Sequence, residues 1–99
     1  MMTIVTHVAI ESGQEPAWDR AWQERLKSAR QQKGWIAAQL CIPASAVNER
    51  VVVGTWDTRA DWEAWHASES FQATRRTMEQ LETERRDEWW HEVLVEEHR

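Results

Sequence analysis

The stretch "VVVGTWDTRADWEAWHASESF", residues 51–71, decides how the chain is read. Val51, Val52 and Val53 continue a β-branched run that starts at Arg50 and closes at Trp56, which predicts a strand. Thr58 followed by Asp61 three residues later is a capping-box variant, with Asp in place of the usual Glu. It starts a short helix carrying Trp62 and Trp65. Ser68 or Ser70 then caps a further helix, which Phe71, Met78 and Leu81 extend to about Arg85. Three Trp (56, 62 and 65) within ten positions are either a core or one wall of an aromatic pocket.

Outward from this stretch the elements continue. "TIVTHVAIE", 3–11, reads as a strand, with Ile4, Thr6, Val8 and Ile10 on one face and Val5, His7 and Ala9 on the other. After the Ser12–Gly13 turn, Pro16 opens a helix where its missing N–H does no harm. Trp18, Trp22, Leu26 and Ala29 fall at steps of four, four and three, one apolar stripe, and Gly34 supplies the stop. "WIAAQLCIP", 35–43, is a second strand closed by Pro43, and "EWWHEVLVEE", 88–97, an alternating last one. The order β-α-β-β-α-α-β forms two β-α-β halves, 3–43 and 50–97. It predicts an α+β, ferredoxin-like fold, a single domain over 1–99 with helices on one face of an antiparallel sheet.

Composition narrows the function classes. A formal charge of −5, with Lys and Arg scattered, argues against nucleic acid as a partner. No apolar run approaches the roughly 18 residues of a membrane span, and no signal peptide is visible. Cys41 stands alone, which fits a reducing compartment and a cytoplasmic location. "HEVLV", 91–95, lacks the second His of a zinc helix, and His91 and His98 have no companions at ligand spacing. There is no nucleophile elbow, P-loop or dinucleotide fingerprint.

Strands one to three are apolar on both faces: Ile4/Val8/Ile10 against Val5/Ala9, then Ile36/Leu40/Ile42 against Trp35/Cys41. Helices cover only one face, so a second copy of the sheet is expected on the other. A homodimer follows, with Val8 taken as an outward position where a glutamate would be harmful.

A third strand ending in Trp56, a Thr58-capped helix carrying Trp65, and "SESF" 68–71 leading into the next helix resemble the antibiotic biosynthesis monooxygenase family, small dimeric α+β-barrel proteins. The resemblance implies oxidation of an aromatic or quinol-type substrate by O₂ with no cofactor. The family also holds haem-degrading members, with an Asn on the first strand, a Trp on the short helix and a His ten residues beyond it. Carried over, those positions are His7, Trp65 and Arg75. Only the Trp is retained, and a guanidinium cannot ligate iron; His7 or His66 would have to substitute.

Arg75 lies four after Phe71 and three before Met78, within the apolar stripe of its helix. It either snorkels to the rim beside Glu79 or faces a pocket as the partner of an oxyanion. His7, on an apolar strand face, is a packed core residue or a base near neutrality. The catalytic candidates are therefore His7 and Arg75, with Trp65, Phe71 and Trp62 as the wall against a small aromatic ligand. The rival reading is a non-catalytic small-molecule-binding or stress-response dimer.

Overall fold

The computed structural model describes residues 1–85 and 88–99. Strand β1 (Met2–Ile10) leads into helix α1 (Glu15–Ala29), then strands β2 (Trp35–Cys41) and β3 (Glu49–Trp56). Helices α2 (Arg59–His66) and α3 (Glu69–Leu81) follow, and the short strands β4 (Glu82–Arg85) and β5 (Trp89–Glu92) end the order. The sheet runs β2-β3-β1-β4, and every pairing is antiparallel. Both β4 and β5 border β1, β4 beside Val8–Ile10 and β5 beside Met2–Val5. This is the α+β arrangement expected from the element order, with three helices against an antiparallel sheet.

The local signals act as the sequence suggests. Pro16 sits in the first turn of α1, and Gly34 takes φ +85, a conformation that favours glycine. A side chain there would also run into Asp61. Thr58 Oγ1 accepts from the Asp61 N–H at 3.1 Å and donates to Asp61 Oδ2 at 3.0 Å, closing the cap of α2. Ser68 caps α3, accepting from the Phe71 N–H at 3.3 Å.

Three expectations are corrected. The last helix stops at Leu81, not near Arg85, because Glu82 turns extended (φ −95, ψ 138) and enters the sheet opposite Ile10. Trp18 Nε1 donates to Glu82 Oε2 at 2.9 Å and helps hold that turn. The last strand covers Trp89–Glu92 instead of 88–97. Its ladder pairs Glu92 with Met2 and ends with a bond from Val93 N–H to the Met1 carbonyl at 3.1 Å, leaving Leu94 and Val95 exposed. Finally, a register shift between Trp35 and Ala37 breaks the alternation of β2. Leu40 packs on the core, while Ile36 and Ile42 are exposed.

The core lies between sheet and helices in two clusters. Val8, Ile10, Trp18, Trp22 and Met78 fill one end; Ala29, Trp56, Trp65 and Phe71 form the other. Val8 is only 1% exposed, so it faces the helices and is not an outward residue. The outward face carries Val5, His7 and Ala9, registered against Val53, Val51 and Glu49. Trp89, paired with Val5, adds an indole that is 66% exposed.

Candidate active site

The polar contents of the two clusters differ. Near the filled one, Arg50 is buried yet saturated: Nε and Nη2 bond Asp19 at 2.9 and 3.1 Å, and Nη1 bonds the Val47 and Glu49 carbonyls at 2.8 and 2.9 Å. Between the two clusters lies a cavity of about 80 Å³, partly open to solvent and lined by Val8, Trp18 and Trp22 of the first and Trp56, Trp65 and Phe71 of the second. A buried water occupies roughly 10–15 Å³ by this measure, so the space suits several waters or one small aromatic portion of a ligand.

α2 and α3 build the cavity's aromatic wall. The Ser68 hydroxyl donates to the Trp65 carbonyl at 2.5 Å and so ties the end of α2 to the start of α3. That junction folds Phe71 back onto His66, their centroids 3.8 Å apart and their planes 29° from parallel. Trp62 lies 3.5 Å from His66 on centroids and Trp65 meets it edge-on at 5.2 Å, so the imidazole contacts three aromatic neighbours. Trp65 stacks on Trp56 at 5.4 Å and meets Phe71 edge-on at 4.8 Å. Its indole N–H donates to Ser28 Oγ on α1 at 3.0 Å, which fixes the ring against rotation.

Two groups dominate the electrostatics. Arg25 of α1 is 9% exposed, with its guanidinium carbon 4.2 Å from the Phe71 centroid and Nε donating to Thr74 Oγ1 at 3.1 Å. Burial, then the charge of Arg85, lowers its pKa to about 10, against the opposing pull of Glu82; it stays cationic at neutral pH. His66 is depressed to about 3, first by desolvation and next by the Arg25 charge. The Trp62 carbonyl acts in the opposite sense without reaching hydrogen-bond geometry to Nδ1, which is buried and unpartnered.

Of the five residues expected at the site, Trp62, Trp65 and Phe71 line this cavity. His7 and Arg75 do not. His7 points to the opposite face of the sheet, its Nε2 2.9 Å from Glu49 Oε1, because odd positions of β1 face away from the helices. Arg75 lies on the exposed side of α3, with Nε 2.8 Å from Glu79 Oε1 one turn on, the rim reading of that residue. Their places in the cavity are taken by His66, read from sequence only as a substitute iron ligand, and by Arg25, which was missed. The signal for Arg25 was present: it stands three after Trp22 and four before Ala29, in the same apolar stripe. Arg85 and Glu88 also line the cavity and had no local signal.

The haem arrangement implied by the resemblance is not formed. Its first-strand and α3 positions lie outside the cavity, His66 Nδ1 is enclosed, and a porphyrin is much larger than the space available. Among the described residues no three His, Cys, Asp or Glu side chains gather to hold a metal ion. No helix among them is long and apolar enough to cross a membrane.

Residues 1–77 match the family profile for antibiotic biosynthesis monooxygenases. The chain belongs to that family. Solved structures agree on the fold. SnoaB, a cofactor-independent oxygenase from Streptomyces nogalater, superposes with a TM-score of 0.85 at 14% identity, covering 96% of this chain and 94% of that one. Rv0793 from Mycobacterium tuberculosis gives 0.83 at 15% identity, over 96% of both chains. A conserved protein from Methanosarcina mazei gives 0.84 at 7% identity, over 91% and 89%. No curated protein matches the chain by sequence.

Proposed function

We propose that this family member is a monooxygenase that oxidises a small hydroxylated aromatic or quinol-type substrate with O₂ in the cavity between sheet and helices, without a cofactor. One observation carries the reading: a buried cation, Arg25, opens on a largely aromatic cavity whose walls include Trp62, Trp65 and Phe71. Flat rings stack on such walls, and an oxyanion gains most from a guanidinium where water is scarce. An electron-rich phenolate or enolate can reduce O₂ directly. For a ring methylene oxidised to a carbonyl, the substrate supplies all four electrons. One oxygen atom enters the product and the other leaves as water.

The fold supports a homodimer as the working unit. The family is generally dimeric, and the outward sheet face of this chain presents Val5, Val51, Val53 and the exposed Trp89 with no helix over them. Oxygen uptake across hydroxyanthrones, naphthols and quinols tests the activity, with labelled O₂ expected to leave one labelled atom in the product. Saturable binding of these compounds with no uptake for any of them would return the protein to the rival class of binding dimers.

A further inference from the structure

We infer that the cavity takes its ligand as a preformed monoanion, an acidic phenol or enol seated with its ionised oxygen on Arg25, and supplies among its described residues no base to ionise it. This narrows the substrate class of the site proposed above and rests on that reading. Among the described residues four lining side chains are ionisable: Arg25, His66, Arg85 and Glu88. Arg25 spends one N–H on Thr74, and its terminal nitrogens have no acceptor among the described residues.

Of the described carboxylates around it, Glu82 and Glu79 are engaged elsewhere and Glu88 faces solvent. Glu82 accepts from Arg85 at 3.2 and 3.0 Å and from the Trp18 indole at 2.9 Å. Glu79 is paired with Arg75, and Glu88 is exposed. The charges of Arg85 and Arg75 oppose that of Arg25, and those of Glu82 and Glu79 favour it. Burial and like charge prevail, since its charged form is disfavoured relative to water. An incoming anion would relieve that penalty, so the site discriminates by charge.

No lining group is suited to remove a proton near neutrality. Among the described residues His66 is the only lining side chain whose ordinary range lies there, and its ring is held neutral against Trp62, Phe71 and Arg25. A group depressed to about 3 is a poor acceptor for a phenolic proton. His7, the base expected from sequence, is on the other side of the sheet. Ionisation therefore belongs to the ligand, and the pH dependence of binding should belong to it too.

Three phenols of graded acidity test this: 2,4-dinitrophenol, 4-nitrophenol and phenol, each titrated across pH against the wild-type protein by Trp fluorescence quenching. The midpoint of each affinity–pH curve should follow that ligand's own ionisation, and the bound ligand's ionisation should be displaced towards acid. Bound 4-nitrophenol should carry the absorption of its ionised form. Arg25→Met should weaken the dinitrophenolate by about tenfold or more while leaving neutral 4-nitroanisole within about twofold. Arg25→Lys should keep the preference for the anion. One shared midpoint for all three phenols, 4-nitrophenol bound as the neutral acid, or equal weakening of charged and neutral ligands would each overturn the inference. Wild-type titrations decide the question even where a variant fails to fold. Oxygen uptake plays no part in them: anion selectivity without turnover would sink only the oxygenase reading, and turnover with a shared midpoint only this one.

Discussion

Two buried arginines mark two different regions of this small interior. Arg50, near the cluster of Trp18, Val8, Ile10 and Met78, has its charge matched by Asp19 and both Nη1 donors met by carbonyls. Arg25, near the end built from Trp65 and Phe71, has one hydroxyl partner and an aromatic face beside an open cavity. A saturated buried cation belongs to the structure. An unsaturated one beside a cavity is, in the reading proposed above, available to an anionic ligand that would offset its desolvation.

The filled region should give the largest effects when disturbed. Val8→Glu places a carboxylate at a 1% exposed position among Ile10, Trp18 and Met78, and should abolish cooperative folding. Val5→Glu, on the outward face of the same strand, should leave a folded chain that no longer dimerises. Sedimentation with near-ultraviolet circular dichroism separates the two outcomes. A folded Val8→Glu monomer would mean that the two faces of β1 have been assigned the wrong way round.

The arginines themselves should part in opposite directions. Arg50→Met removes four hydrogen bonds but leaves Asp19, whose side chain is 37% exposed, to water, and should cost about 1–3 kcal/mol in urea unfolding. Arg25→Met should change stability by no more than about 1 kcal/mol, since removal of an unmatched buried charge offsets the lost Thr74 bond. Anionic ligand affinity should show the reverse, falling for Arg25→Met and holding for Arg50→Met. Similar destabilisation by both would remove the distinction between the regions.

At neutral pH the smallest effect is expected from His66, which becomes visible in acid. Its folded-state pKa, about 3, lies below the ordinary 6.5, so the folded chain binds fewer protons there than the unfolded one. Its contribution to stability is therefore complete above about 6.5 and is lost as the pH falls towards about 3. His66→Phe keeps a ring against Trp62 and Phe71 while removing this titration. Between about pH 7 and 5, where ordinary carboxylates titrate little, the variant's unfolding midpoint should fall less than that of the wild type. Parallel slopes would show that His66 protonates freely in the folded chain.

Local residue pattern determined much of this protein. Strand β1, the start of α1 at Pro16, the Thr58–Asp61 cap, the Ser68 cap and the Trp18–Trp22–Ala29 stripe all depend on neighbours within a few positions. Side-chain period and capping chemistry operate at that range. The aromatic wall was legible for the same reason, since Trp62, Trp65 and Phe71 lie on one short stretch.

Tertiary structure decided the rest. A strand's alternation separates two faces without saying which one the helices cover, so Val8 was read as outward and His7 as available to a pocket. Arg75 and Arg25 both occupy apolar stripes, and only the packing of α1 against α3 determines which guanidinium is enclosed. The switch to strand at Glu82 depends on Trp18, 64 positions away, and on pairing with β1. Burial and charge at the cavity are sums over segments distant in sequence, which is why the walls could be named from the chain and its polar residues could not.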